Sequence, residues 1–352
     1  MFKIIGSAKA KYLAATDVLI GDMSNINYEF LLFNRPILLL ANDWVRNHFP
    51  DIGIKARVHE LEDAILRSLE NPTEFEDDRK FWLKKVIFLP EISASKYYID
   101  IAIQNTNFDN PKFVLLDGNN SVRKTNLEPL YNELTNRNIE VEMVNTIANI
   151  KDKYEKTIFI AAHFTDLIDI DYGYCIHIDH DLKGPATANL SQAVRDYKKN
   201  NYFDNIHLHI SGGVAGKYRT QYVLGDKKDR VVIGGYPKAD DLLAFNYYNV
   251  KKEVCNELGF DPSKPLVTYA PAGEKTYMKP GGSLSIDVIK KIKEFGEKNS
   301  IYNILIKVKY EEKISPKEIA YNNIKKIYSG YRSLRYSDGG KEWDNVIQHI
   351  LD

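Results

Sequence analysis

Short apolar runs alternate with stretches of helical spacing along most of this chain, the pattern of α/β units built around parallel sheets. The runs Asp17–Ile20, Pro36–Leu40, Phe113–Leu116, Thr157–Ala161, Tyr174–Ile178, Ile206–Ile210, Arg230–Ile233, Leu266–Tyr269 and Asn303–Val308 read as buried strands. Helical spacing occurs at Glu60–Glu70, Asn126–Thr135, Leu190–Asn200, Ser285–Lys298 and Pro316–Tyr328. In the first of these, Leu61, Ala64, Ile65 and Leu69 share one face.

The elements group into three blocks. Residues 1–105 hold two strands and several helices, too few to close a sheet alone. Residues 106–260 read as a complete α/β domain whose first strand follows a polar, turn-rich linker at Gln104–Pro111. Residues 261–352 open a second sheet and stop after its second strand. The first and third blocks are therefore expected to pair. That gives two Rossmann-like domains, one from the middle of the chain and one from its two ends.

Composition narrows the class of function. The chain has 352 residues, 44% hydrophobic and 27% charged, which is globular and comfortable for two domains. Lys plus Arg and Asp plus Glu balance at 48 each, so no overall field collects nucleic acid or anionic lipid. Two cysteines, Cys175 and Cys255, allow no disulfide framework and suit a reducing cytoplasm. The opening residues lack the pattern of a signal peptide, and no window approaches 18 apolar residues. Membrane contact is expected to be peripheral at most.

Candidate chemistry begins at DVLIGDMSNINYEFLLFNRP, residues 17–36. A buried strand ends at Asp22, Ser24 or Asn25 stands at a helix N-cap position, and Glu29 follows one turn later. Hydroxyl, amide and backbone N–H groups are thereby placed beyond a strand's carboxyl end, where open α/β sheets bind phosphate. A plain strand–cap–helix connection would look the same. The run resembles the D-Y-S-S-x-x-F/Y-E pattern, followed by R-P or K-P, of the CDP-glycerol glycerophosphotransferases of teichoic-acid and capsule synthesis. Asp22, Ser24, Tyr28, Glu29, Arg35 and Pro36 match, while Met23 and Asn25 depart mildly. The resemblance implies a donor nucleotide and phosphate site at Asp22, Ser24, Asn25 and Glu29, and a GT-B-like pair of domains facing a cleft.

Further blocks resemble the same family. HIDHDLKGPATANL (177–190) is similar to its H-G-x-x-K-like segment, which implies His180 as the base and Lys183 as its charged partner. Histidine titrates near neutrality and suits deprotonation of a hydroxyl. His177, Asp179, His180 and Asp181, with the HLH at 207–209, also have the residue types of a metal site. Alternation sends His177 and Asp179 to one strand face and His180 towards the loop, so no metal is expected. SGGVAGKYRT (211–220) fails as a P-loop, because Ser211 stands where the first glycine belongs and Tyr218 follows Lys217. It reads equally as an active-site rim or a plain turn.

GGYPKADDLL (234–243) is similar to the family's G-x-P-R-x-D-x-L segment before the interdomain hinge, through Gly235, Pro237, Lys238, Asp240 and Leu243. LVTYAPAG (266–273) resembles its first donor-domain strand, which implies a phosphate-facing loop at Gly273. NILIKVKY (303–310) resembles the strand ending in K-x-H-P. Lys307 matches, but Lys309 replaces the histidine and Tyr310 the proline. Lysine neutralises phosphate as a point charge and cannot share histidine's acid–base role.

In the family the D-x-S element comes last, whereas here it comes first. A circular permutation, a piece of a tandem arrangement or a misjoined frame each fit, and one compact permuted molecule is expected. The activity implied is transfer of glycerol phosphate from CDP-glycerol to a glycan or polyol-phosphate hydroxyl at the cytoplasmic membrane face, without metal or other cofactor. A GT-B sugar transferase and a degenerate nucleotide-binding module are the alternatives.

Overall fold

The computed structural model describes residues 2–5, 10–22, 24–41, 43–119, 121–150, 154–179, 182, 204–271 and 286–307. It contains two six-stranded, all-parallel sheets, each in its own compact unit. One unit comprises residues 1–80 and 245–352, and the other residues 81–244.

The sheet of the end unit takes strands from both ends of the chain. It contains β1 (Phe2–Ile5), β2 (Val18–Gly21), β3 (Ile37–Leu40), β4 (Ile54–Ala56), β11 (Leu266–Tyr269) and β12 (Asn303–Lys307). Their spatial order is β1-β12-β11-β2-β3-β4. Counted from β11 to β12 and then from β1 to β4, this is the 3-2-1-4-5-6 order of dinucleotide-binding folds. The sheet is covered on both faces, which is why its strands read as unbroken apolar runs. Val18, Ile20, Leu38, Leu40, Val267, Tyr269, Ile304 and Ile306 pack with helices α4 (Leu61–Glu70) and α11 (Ile286–Lys298). Leu266 and Leu305 pack on the other face with α1 (Ala10–Ala15) and α10 (Tyr247–Leu258).

A polar cluster ties the two ends together. The Asp17 carboxylate accepts bonds from the Leu266 N–H (2.6 Å), Lys251 Nζ (2.7 Å) and the Tyr247 hydroxyl. Burial alone would lower the Lys251 pKa, but its bonds to Asp17 and Tyr247 outweigh burial and raise it. Burial and then Asp17 raise that of Tyr247. Both groups keep their protons longer in the folded chain than in the unfolded one. Their contribution to stability is therefore fully present below about pH 10 and is lost as pH rises through the raised folded values. The urea midpoint is expected to fall from about pH 10 upward, and Asp17→Asn is expected to lower it at neutral pH and flatten the alkaline fall.

The central sheet has the order β10-β9-β8-β7-β5-β6. Its strands are β5 (Lys112–Leu116), β6 (Val141–Val144), β7 (Thr157–Ala161), β8 (Tyr174–Ile178), β9 (Leu208–Ser211) and β10 (Val231–Ile233). Counted from β5 this is 2-1-3-4-5-6, the flavodoxin-like order. Helices α6 (Ala94–Thr106) and α7 (Ser121–Asn136) close one face over Phe113, Leu115, Ile158, Ile160, Ile176 and Ile210.

The unit boundaries fall at residues 80/81, within α5 (Glu76–Val86), and at 244/245, rather than at 105 and 260. The polar stretch after Ile103 is a turn at the end of α6, with Asn107 in the left-handed region (φ 53°). Tyr98, Ile99, Ile101 and Ala102 of α6 belong to the central core. At the other boundary, Val250, Val254 and Cys255 of α10 pack against Tyr12, Ala14 and Ala15 of the end unit. The expected helices at Leu190–Asn200 and Pro316–Tyr328 lie outside the described residues.

The hinge-like GGYPKADDLL segment, which contains α9 (Lys238–Leu243), is a structural clamp of the central unit. The Asp240 carboxylate accepts from the N–H groups of Ala94 and Ser95 (both 2.8 Å) and from Ser95 Oγ (2.6 Å), satisfying the start of α6. Gly235 sits at φ +95°, with its carbonyl accepting from the Tyr98 hydroxyl at 2.8 Å.

Candidate functional site

In the end unit the chain leaves β11 towards β12 on one side and leaves β2 towards β3 and β4 on the other, so the connections run in opposite directions from the adjacent strands β11 and β2. Open α/β sheets bind ligands beyond the carboxyl ends of the strands at such a reversal. β2 ends there at Gly21 and β11 at Tyr269, joined by the Ala270 N–H to the Ile20 carbonyl at 2.9 Å. Asp22, Ser24 and Asn25 follow β2 directly.

The turn is shaped by a short helix, α2 (Ile26–Phe30). Asn25 occupies its N-cap position in right-handed helical conformation, and its side chain makes no capping bond. Ser24 Oγ receives only a long 3.5 Å contact from the Ile26 N–H. The expected cap positions are therefore occupied, with no capping bond to the Asn25 side chain and a long one to the Ser24 hydroxyl. Asp22 and Glu29 are buried, and the Glu29 N–H reaches the Asn25 carbonyl at 3.2 Å, which holds Glu29 one turn above the loop. Tyr28 stacks on Phe49 at 5.7 Å, and burial raises its phenol pKa.

Two residues of this motif act on the backbone. Fully buried Asn27 donates from Nδ2 to the Asp22 carbonyl and pins the turn. Gly21 leaves room for it, since a Cβ there would lie 2.0 Å from Asn27 Oδ1. Arg35 donates to the carbonyls of Ala14 (2.7 Å) and Thr16 (2.6 Å) and stacks over the Tyr247 ring at 4.0 Å. It thus secures the end of α1.

Lys307 ends β12 on the same rim. Its position registers two strands from Gly21, roughly 10 Å at the usual strand spacing. Gly273 and Lys309, also expected here, lie outside the described residues, as do His180 and Lys183 of the central unit.

The central unit has its own buried polar group, at the carboxyl ends of β8 and β9. His177 stands opposite His209 in register, with Nδ1 atoms 2.7 Å apart. Asp179 Oδ1 is 3.5 Å from His209 Nε2. Its Oδ2 accepts from Ser211 Oγ at 2.8 Å and from the Gly212 N–H at 3.3 Å. The SGGVAGK segment packs around this carboxylate: a Cβ at Gly216 would lie 2.3 Å from Ser211 Oγ and 3.0 Å from Asp179 Oδ2. Helix α8 (Val214–Leu224) starts directly after Gly213. Sequence reasoning placed His177 and Asp179 on one face, but considered His209 only as a metal-ligand type and Ser211 only in the failed P-loop pattern. The signal was the H-x-H-x-S alternation of residues 207–211, whose partner strand only the fold supplies. Among the described residues no three His, Cys, Asp or Glu side chains converge as a metal site, and no helix is long and apolar enough to cross a membrane.

With this geometry in place, one comparison bears on it. Residues 6–52 match the family model described as CDP-glycerol:poly(glycerophosphate) glycerophosphotransferase. The match covers α1, β2, α2, β3 and α3 (Asp43–His48), the part of the end unit that carries the Asp22–Glu29 turn. No curated protein matches the chain. Among solved structures, a biosynthetic arginine decarboxylase from Campylobacter jejuni is similar at 9% identity, over 73% of this chain and 58% of that one, with a TM-score of 0.15. This chain thus spans less than two thirds of that protein, and likeness at that score informs neither fold nor chemistry.

Proposed function

We propose that this chain is a glycerophosphotransferase-type enzyme that moves glycerol phosphate from CDP-glycerol to a hydroxyl of a cell-envelope glycan or polyol-phosphate acceptor. The observation that carries the reading is the Asp22–Glu29 turn, which stands at the strand-order reversal of a nucleotide-binding type of sheet and within the stretch that matches the family model. Ser24 and Asn25 offer donors to the donor's phosphates, and Glu29 offers an acceptor to its ribose hydroxyls. Lys307, Lys309 and Lys183 offset phosphate charge, and Gly273 lets backbone approach it. His180 takes the acceptor's proton. The acceptor oxygen keeps the electron pair and attacks phosphorus, the phosphorus–oxygen bond to CMP breaks, and CMP leaves with that pair.

The strand order also supports a circularly permuted arrangement of the family's blocks, with residues 245–352 supplying the first strands of the donor domain and residues 1–80 the later ones. A peripheral position on the inner membrane face follows from the acceptor rather than from any span. Lysine at 309 favours one second reading, a sugar transferase on the same fold, because the histidine expected there is missing.

Purified protein given radiolabelled CDP-glycerol and a UDP-sugar in parallel is expected to transfer label from CDP-glycerol. His180→Ala is expected to lower turnover about 100-fold or more, the usual worth of a general base. Label from the UDP-sugar alone would move the chemistry to an anomeric carbon. Nucleotide binding without transfer of either label would reduce the protein to a binding module.

A further inference from the structure

The end of α5 and the turn into α6 have a buried side and an exposed one. Val86 and Ile87 are buried against the central unit, where a Cβ at Gly213 would lie 2.5 Å from the Val86 carbonyl. The Phe88 N–H donates to the Gly212 carbonyl at 2.8 Å, and the Ile87 N–H reaches the Leu83 carbonyl at 2.9 Å. Around these anchors Phe81, Phe88, Leu89 and Ile92 are 52%, 37%, 43% and 45% exposed. Apart from tyrosines, the other large apolar side chains this exposed among the described residues are Leu243, Phe245 and Ile301. A single exposed apolar residue is ordinary, but four within twelve positions on a pinned backbone mark an interaction surface.

The surface is also aromatic and basic. Phe81, Lys84 and Lys85 lie within one helical turn, and Lys85 Nζ sits 5.2 Å over the Phe81 ring. Trp82 stands edge-on to Phe81 at 5.4 Å, and Tyr97 lies 5.8 Å from Phe88, which carries the patch to the first turn of α6 beside Lys96. Lys84, Lys85 and Lys96 are exposed, and the acid among residues 81–97 is Glu91. Arg137, which donates to the Lys96 carbonyl, is paired with Asp100 and Glu133. Lysines in a last helical turn suit the helix dipole, but the dipole gives no reason for the apolar side chains around them.

We propose that the α5–α6 surface docks the chain on an anionic lipid bilayer, with Phe81, Phe88, Leu89 and Ile92 entering the acyl boundary and Lys84, Lys85 and Lys96 meeting lipid phosphates. Apolar and aromatic side chains flanked by lysines are what such a surface takes up. The backbone suits the same occupant, because the Ile87 and Phe88 N–H groups are bonded within the chain and Pro90 has none. An added strand would find no donors there. A second copy related by two-fold symmetry would bring one basic surface onto another. The transferase reading contributes only the leaflet, the cytoplasmic one, where the acceptor would lie.

The test is sedimentation of the full chain with vesicles of phosphatidylglycerol and phosphatidylcholine, and with vesicles of phosphatidylcholine alone, in the absence of nucleotide. Binding to the anionic vesicles is expected to be about 10-fold or more tighter than to the neutral ones and to weaken as salt is raised. Phe81→Gln with Phe88→Gln, and separately Lys84→Gln with Lys85→Gln, are each expected to weaken it about 10-fold or more. Urea midpoints confirm that the variants fold. Brominated lipid is expected to quench tryptophan emission, and Trp82→Phe to remove most of that quenching while binding persists. No vesicle binding, equal binding to both vesicle types, or unchanged binding in both double variants would overturn the proposal. Self-association lost in the double variants, without vesicle binding, would overturn it in favour of a second copy. These measurements involve no transfer, so failure of the transferase reading would leave their outcome as it is.

Discussion

Gly21→Ala is expected to destabilise the protein by about 3 kcal/mol, among the largest effects of any single methyl in the chain. The added carbon would lie 2.0 Å from Asn27 Oδ1 and 2.8 Å from Asn27 Cγ. Asn27 cannot swing aside cheaply, because it is fully buried and bonded to the Asp22 carbonyl. Asn27→Ala alone should cost about 1–2 kcal/mol through loss of that bond. If the clash is the cause, the double variant is more stable than Gly21→Ala alone, so the two losses are strongly non-additive. Urea unfolding of the four proteins measures this directly. Simple addition of the two losses would show that the two residues do not oppose each other.

Glu29→Gln is expected to raise the KM for CDP-glycerol about 10- to 100-fold, the worth of about 1.5–3 kcal/mol for a hydrogen bond to a charged group. The substitution keeps the shape of the side chain, so α2 and the stacking of Tyr28 on Phe49 should persist. Unfolding midpoints therefore separate a lost ligand contact from a damaged helix. A KM unchanged in a normally folded variant would remove Glu29 from the proposed donor site.

The interior of both sheets could be read from sequence because their central strands are covered on both faces and appear as continuous apolar runs. The strands that escaped notice are short or lie at the edges. β4 and β6 end their sheets with half-buried residues such as Ile54 and Lys55, or Val141 and Glu142, which weakens the pattern. β1 is an edge strand of four residues. Helices were harder to assign to a sheet than to detect. The apolar face of α10 carries no mark of its partner α1, and α6 ends in a polar turn that looks like a linker.

The Asp22–Glu29 motif shows the same division. The placement of Asp22, Ser24 and Asn25 beyond a strand end followed from the apolar run and the cap residues. The roles of Asn27 and Arg35 did not, because each acts on backbone carbonyls brought near by the fold. In the central unit, strand alternation put His177 with Asp179. The pairing with His209 depends on the register of β8 against β9, which local spacing does not contain.

The proposed function requires that the Asp22–Glu29 turn hold a cytidine nucleotide donor. Hydrogen–deuterium exchange of the whole protein with and without CDP-glycerol tests it most directly. Slowed exchange over residues 21–30 is expected, abolished by Glu29→Gln at the same ligand concentration. Protection confined to other segments, with residues 21–30 exchanging as in the free protein, would contradict it.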